Sequence, residues 1–121
     1  MSHPKSITMD ECIENCFECH QICLETMQYG MDKGGEHSEP SHLRILQNCA
    51  SICETSAQFM ISGSPLHPKS CELCAEACSS CAESCEKMEG DQQMVFCAET
   101  CRKCAESCEE MSSGAHAGAA A

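Results

Sequence analysis

The stretch CELCAEACSSCAESC, residues 71–85, has a cysteine at every third or fourth position. The steps of three, four, three and four residues give the 3.5-residue repeat of a helix seam, with Cys where Leu is usual. Because no step is two residues long, a β-strand does not explain the pattern. The stretch therefore predicts an α-helix with one face lined by thiols.

Three other segments of the chain carry cysteines at the same spacing. Four helices of about 20 residues with short connections favour an antiparallel, up-down-up-down four-helix bundle. We expect an all-α fold whose Cys faces point inward, since the last two segments have no other sustained apolar face. The fifteen candidate metal ligands are Cys12, Cys16, Cys19, Cys23, Cys49, Cys53, Cys71, Cys74, Cys78, Cys81, Cys85, Cys97, Cys101, Cys104 and Cys108.

Residues typical of helix starts precede the first two segments. Thr8 followed by Glu11 predicts a capping box at the start of the first helix. Before the second helix, Ser38 or Ser41 is expected to be the N-cap, with Pro40 in the approach. These residues predict where two of the four helices begin.

Residues typical of helix ends and starts also separate the later segments. Gly63 suits the position after the second helix, Pro68 suits the first turn of the third, and Asp91 is expected to cap the fourth. We predict a single bundle domain over residues 1–114, followed by a flexible tail at 115–121.

The net charge of −12 limits the classes of partner. A strongly acidic chain lacks the basic face that nucleic-acid binding needs, and anionic membranes would repel it. No apolar stretch reaches the ~20 residues of a membrane span, and the first residues show neither an apolar signal region nor a twin-Arg pair. The expected location is the cytoplasm, where dense cysteine indicates metal binding rather than disulfides.

Cysteines four residues apart predict metal clamps on single helices. Their Cβ atoms lie about 5–6 Å apart, which matches two thiolates on either side of one soft ion at bonds of about 2.3 Å. Cu(I) accepts two or three thiolates, whereas Zn²⁺ prefers four in a tetrahedron. The seven clamp pairs are 12/16, 19/23, 49/53, 74/78, 81/85, 97/101 and 104/108.

Charge balance also favours Cu(I). When every thiolate bridges two ions and every ion binds two thiolates, one Cu(I) per Cys leaves a neutral core, and unpaired charge in such a core is very costly. The predicted function is sequestration of about fifteen Cu(I) ions. A zinc or mixed-metal thiolate buffer is the first alternative, and a thiol redox protein is the second. No nucleophile–base pair is evident, so we expect a protein that is not an enzyme.

Methionine and histidine residues gather where the cysteine runs end. One end of the predicted bundle collects the candidate auxiliary copper ligands Met9, Met60, His67 and Met111, and the other collects Met27, Met31, His42, Met88 and Met94. Thioether and imidazole bind Cu(I) and release it more readily than thiolate does. The first end is the better candidate for copper admission, because His67 lies four residues before Cys71. His3, His20, His37 and His116 are expected to have no role in function.

The first two segments carry more apolar residues than one helix seam needs. Shoulder packing between helices explains about half of them. The surplus predicts a self-association face on the first two helices. These residues are Ile13, Phe17, Leu24, Leu43, Ile45, Ile52, Phe59 and Ile61.

The four cysteine runs resemble those of the bacterial copper storage proteins, which are Cys-rich four-helix bundles filled with Cu(I). The resemblance extends from Cys12 to Met111. It implies storage or detoxification of Cu(I) and a homotetramer, and the lack of a visible leader makes the chain similar to the cytosolic branch. The second segment departs from the pattern, because Leu46 and Ala57 occupy seam positions there. An asymmetric arrangement of copper is therefore expected.

Overall fold

The computed structural model describes residues 7–113. In this part of the chain the elements are α1 (Met9–Lys33), a short 3-10 helix η1 (Gly35–Ser38), α2 (Pro40–Ile61), α3 (His67–Glu86) and α4 (Gln92–Ser112). This confirms the predicted all-α four-helix fold. None of these helices combines the length and the hydropathy that crossing a bilayer requires. The predicted flexible tail, 115–121, lies outside the described residues.

Contacts between α1 and α4 show that these helices are antiparallel. Cys12 at the start of α1 meets Cys108 near the end of α4, with 3.8 Å between the two Sγ atoms. At the opposite end, the Tyr29 hydroxyl near the end of α1 donates a 2.8 Å hydrogen bond to Asp91, the residue before α4.

α2 and α3 are antiparallel in the same way. Ser56 Oγ, late in α2, lies 3.2 Å from Cys71 Sγ, early in α3. His42 Nδ1, early in α2, lies 2.7 Å from Ser84 Oγ, late in α3. With short connections joining successive helices, the bundle is up-down-up-down, as predicted.

The predicted caps of α1 and α4 are confirmed. Thr8 Oγ1 accepts from the Glu11 amide at 3.1 Å, and the Glu11 carboxylate accepts from the Thr8 amide at 2.9 Å. Asp91 Oδ1 accepts from the Met94 amide at 3.0 Å. The predicted Gly63 follows the last turn of α2 with a φ of 69°, and Pro68 lies in the first turn of α3.

The predicted cap of α2 is wrong. The N-cap is Glu39, which makes no side-chain cap bond, and Pro40 is the first helical residue. Ser38 belongs to η1, where its hydroxyl donates to the Gly35 carbonyl at 3.1 Å, and Ser41 already lies inside α2. The fixed φ of proline sets the start of this helix without a side-chain cap.

Gly30 allows η1 to pack against the end of α1. A Cβ built on Gly30 would clash with the carbonyl oxygen of His37, so a larger residue would push the connection away. His37 Nε2 in turn contacts Asp91 Oδ2 at 2.9 Å. The α1–α2 connection is therefore anchored to the start of α4.

Sulfur atoms occupy the centre of the bundle. Every cysteine is at most 1% exposed, and Leu46, Met94 and Met111 are fully buried beside them. Small side chains flank the thiols on α3 and α4, where Ala82 is fully buried, and this lets the helices approach closely. The predicted Cys-lined core is confirmed.

Candidate metal centre

The fifteen thiols form a continuous column along the bundle axis. All of them are free and buried. Fourteen belong to five groups in which the Sγ atoms lie within 4.8 Å of one another. In order along the axis the groups are Cys12, Cys71 and Cys108; Cys16, Cys74, Cys104 and Cys108; Cys19, Cys53, Cys78 and Cys104; Cys19, Cys23, Cys49 and Cys101; and Cys23, Cys81, Cys97 and Cys101.

Neighbouring groups share sulfur atoms. Cys108 joins the first group to the second, Cys104 the second to the third, and Cys19 the third to the fourth. Cys23 and Cys101 both belong to the last two groups. Sulfurs shared in this way can bridge successive metal ions, so the column can hold a cluster that runs along the axis.

Most of the shortest sulfur contacts join different helices. Cys19 Sγ on α1 lies 3.7 Å from Cys49 Sγ on α2 and 3.6 Å from Cys101 Sγ on α4. Among the seven predicted same-helix clamps, two have Sγ atoms this close: 74/78 at 3.9 Å and 104/108 at 4.0 Å. A thiol can therefore share a metal ion with another thiol on its own helix or with one on a different helix.

The packing of thiols spreads their pKa values. Hydrogen bonds from Cys104 and then Cys108 lower the pKa of Cys16 to about 6, against the effect of burial. The contact with Cys108 lowers the pKa of Cys71, but the contact with Cys12 and burial outweigh it and raise this pKa to about 11. One thiolate is thus stabilised by the S–H groups around it while its neighbours stay protonated.

Four of the predicted auxiliary residues lie together at the end of the column that holds Cys12 and Cys71. Met60 and Met111 are buried, Met9 is half-buried, and His67 is 2% exposed. His67 Nδ1 donates to the Ser64 carbonyl at 3.0 Å, and its Nε2 is buried without a hydrogen-bond partner. A carbonyl only accepts, so Nδ1 carries the proton and Nε2 has a free lone pair.

The opposite end of the column has its own buried histidine. His42 is 3% exposed, and its Nε2 is also buried without a hydrogen-bond partner. Met94 and Met88 are buried at the same end, whereas Met31 is half exposed. Cys85, the thiol outside the five groups, is buried there too. The sequence placed His42 at this end but gave no reason to prefer it.

The other described histidines lie off the column. His20 Nδ1 pairs with the Ala50 carbonyl at 2.8 Å on the outer side of α1 and α2. His37 pairs with Asp91. Both are half-buried residues with structural partners. His3 and His116 lie outside the described residues.

A family profile described as Csp, copper storage protein, matches residues 5–113. Among solved structures, the Nmul_A1745 protein from Nitrosospira multiformis is 47% identical, with 86% of this chain and 94% of that chain covered and a TM-score of 0.81. No curated protein sequence matches the chain.

Two further similar structures carry the family's name. The Cu(I)-bound copper storage protein BsCsp3 is 31% identical, with 86% of this chain and 97% of that chain covered and a TM-score of 0.80. The apo form of Csp3 from Bacillus subtilis is 28% identical, with 88% and 100% covered and a TM-score of 0.78. Because the profile spans most of the chain and agrees with these structures, the chain belongs to the copper storage protein family.

Proposed function

We propose that this protein stores about one Cu(I) ion per cysteine as a copper–thiolate column inside the bundle. The observation that carries the proposal is the overlap of the five sulfur groups, which places bridging thiols along the whole axis. The proposed ligands are the fifteen cysteines. The similar BsCsp3 structure is Cu(I)-bound.

Zinc fits the single groups better than it fits the column. Four of the groups offer four sulfurs, the number that Zn²⁺ prefers. Neighbouring groups share sulfurs, however, so the groups cannot all bind a Zn²⁺ ion at once with four sulfurs that belong to that ion alone. Four Zn²⁺ ions would also leave about seven of the fifteen thiolate charges uncompensated in a buried core. Fifteen Cu(I) ions would compensate all of them.

Anaerobic titration of the reduced protein with Cu(I) and Zn(II), followed by metal counting, tests this proposal. Storage predicts saturation near fifteen Cu(I) per chain. Saturation at about four Zn(II) with little Cu(I) would instead identify a zinc buffer. Reversible dithiol oxidation without tight metal binding would identify a redox protein.

We propose that copper enters at the end with Met60, His67, Met111 and Met9. The buried lone pair of His67 Nε2 can bind Cu(I) transiently and pass it to Cys71, one helical turn further along α3. Thioethers of the three methionines supply weaker ligands around it. His67→Gln should slow Cu(I) uptake from a chelator several-fold, while His20→Gln should not. Equal uptake rates for the two variants would contradict this admission route.

The homotetramer is also a proposal. The eight apolar residues predicted to form the self-association face are half-buried or exposed in the single chain, with Phe17 and Ile61 the clearest. Leu73 and Phe96 on the other two helices are exposed as well. Sedimentation at micromolar concentration should give four times the chain mass. Phe17→Glu should shift it to smaller species, and a monomeric wild type would refute the proposal.

We further propose that the protein works in the cytoplasm and has no catalytic activity. Each thiol is at most 1% exposed, so none is placed to attack a bulky substrate. The charge of −12 opposes partnership with nucleic acids or anionic membranes. Cell fractionation should find the protein with the soluble fraction. Recovery of the native protein from an exported fraction would contradict the proposed location.

A further inference from the structure

Ser56 is the residue of α2 that faces the first sulfur group of the column. It follows Cys53 by three residues and precedes Met60 by four, which is the repeat that places the cysteines of α3 in the core. Its side chain is fully buried, and its Oγ lies 3.2 Å from the Sγ of Cys71. The first sulfur group has its members on α1, α3 and α4. At this level of the bundle α2 therefore presents a hydroxyl to the thiols.

A short chain of hydrogen bonds fixes the direction of the Ser56 hydroxyl in the metal-free protein. Ser70 Oγ donates to the His67 carbonyl at 3.1 Å, and it lies 3.2 Å from Ser56 Oγ. A hydroxyl has a single hydrogen, so Ser70 accepts in the second contact and Ser56 donates. Ser56 then has no hydrogen left for Cys71. The S–H group of Cys71 consequently donates to Ser56 Oγ.

Copper binding at Cys71 removes the hydrogen at which this chain begins. The S–H bond breaks, a Cu–S bond forms, and the proton leaves to the solvent. The lone pairs of Ser56 Oγ would then face the sulfur at 3.2 Å with no hydrogen between the two atoms, which is unfavourable in a buried core. Rotation about the Cβ–Oγ bond of Ser56 turns its hydrogen towards the sulfur. Ser70 keeps its hydrogen bond to the His67 carbonyl.

We propose that Ser56 is a positioning residue for the Cys71 sulfur. Its hydroxyl accepts from the thiol when copper is absent and donates to the sulfur when Cu(I) is bound. This inference rests on the proposed storage function and adds to it a group that acts on a ligand. Because Cu(I) prefers soft ligands, the hydroxyl acts through Cys71 and does not bind the ion itself. Residues that hold a metal ligand in this way typically change metal affinity by about 10–100-fold.

Ser70 provides a matched control across the α2–α3 interface. It is a buried serine in the same chain of hydrogen bonds, and its contacts are with Ser56 Oγ and the His67 carbonyl. Ser56→Ala and Ser70→Ala each remove one buried hydroxyl from this interface. Only Ser56→Ala removes the hydroxyl that contacts Cys71. In Ser70→Ala the Ser56 hydroxyl is still able to donate to the sulfur.

Anaerobic competition with a Cu(I) chelator tests the role of Ser56 through variants. Ser56→Ala should weaken the binding of one Cu(I) ion about tenfold, and Ser70→Ala should not weaken it. Ser56→Thr keeps the hydroxyl and should bind copper like the wild type. In a Cys71→Ala background, Ser56→Ala should have no further effect on copper affinity, since the sulfur that it contacts is absent.

Proton NMR of the wild-type protein tests the hydroxyl direction without any variant. In the metal-free protein the Ser56 hydroxyl hydrogen should show a nuclear Overhauser contact with Ser70. After anaerobic Cu(I) loading it should instead show a contact with the Cβ hydrogens of Cys71. This measurement remains decisive if a variant fails to fold.

The outcomes separate the role of Ser56 from the storage function. If the protein fills with copper while the Ser56 hydroxyl stays directed at Ser70, the positioning role is refuted and storage stands. The same holds if Ser56→Ala and Ser70→Ala bind copper equally, or if Ser56→Ala weakens binding in the Cys71→Ala background as well. If the wild type takes up no more than about two Cu(I) ions, storage and the positioning role are both refuted.

Discussion

α2 and α3 lie side by side and contribute to the core in different ways. α3 has cysteine at each seam position from Cys71 to Cys85. α2 has two cysteines, Cys49 and Cys53, among the buried side chains His42, Leu46, Ala57 and Met60. Both helices bury one continuous face, but only one of them is filled almost entirely with thiols.

This difference separates two contributions to the stability of the bundle: burial of apolar side chains and binding of copper by thiolates. Leu46 is completely buried, and burying such a side chain contributes about 1.5–3 kcal/mol. A thiol is smaller and contributes less, and a thiolate without a metal ion costs free energy in the core. We infer that α2 stabilises the bundle without metal, whereas the contribution of α3 depends on copper.

Copper loading should have the largest effect on stability. Ions that bind only the folded column stabilise it by about 4 kcal/mol per site when free copper exceeds the Kd a thousandfold. Anaerobic guanidinium unfolding of apo and loaded protein measures the difference. Equal midpoints for the two forms would show that copper does not link the helices.

Leu46→Ala should have the next largest effect, and mainly on the apo protein. The cavity left in the core should lower the free energy of unfolding by about 3 kcal/mol. Cys78→Ala on α3 is the control and should cost about 1 kcal/mol without metal. Urea unfolding of both reduced variants compares them. A larger cost for Cys78→Ala would reverse the roles assigned to the two helices.

Leu46→Cys would make α2 more like α3. The added thiol faces the column, so the saturating copper count should rise by about one. The smaller side chain should lower the free energy of unfolding of the apo protein by about 2 kcal/mol. Copper counting with a Cu(I) chelator checks the first effect and urea unfolding the second. An unchanged copper count would mean that position 46 does not face the column.

The smallest effect is a difference in pH dependence between two thiols. Cys71 on α3 has a pKa raised to about 11, so it is protonated at neutral pH and Cu(I) must displace its proton. The affinity of the Cys71 sulfur for Cu(I) should fall about tenfold for each unit of decreasing pH. Cys16, whose neighbouring thiols lower its pKa to about 6, should weaken only below that pH.

Chelator competition from pH 6 to 9 measures this difference in the Cys71→Ser and Cys16→Ser variants. Loss of Cys71 should reduce the pH dependence of copper binding by about one released proton, and loss of Cys16 should reduce it by less. The other thiols with raised pKa values, such as Cys78 and Cys104, keep the rest of the dependence in both variants. The same slope in both variants would contradict the assigned pKa difference.

The sequence was sufficient to predict the bundle and its core. A repeat of three and four residues determines which face of a helix a side chain lies on, so the inward position of every cysteine followed from spacing alone. Local signals also located the caps at Thr8 and Asp91, because both depend on hydrogen bonds within one turn.

Other features depended on contacts that spacing does not determine. Cys19 contacts Cys49 and Cys101 because of how the helices are shifted along the bundle axis relative to one another. Residue spacing within one helix does not determine this shift, so the sequence predicted only the pairs on the same helix. The start of α2 was predicted at a serine because η1 was not foreseen. His42 stood out only when its two ring nitrogens could be compared.

The central claim is that the sulfur column holds the copper. Anomalous diffraction at the copper edge, from crystals grown with Cu(I)-loaded protein, tests it most directly. We predict about fifteen copper peaks within the sulfur column, between the bundle end that holds His67 and the end that holds His42. Copper bound mainly at surface carboxylates, with an empty sulfur column, would contradict the account.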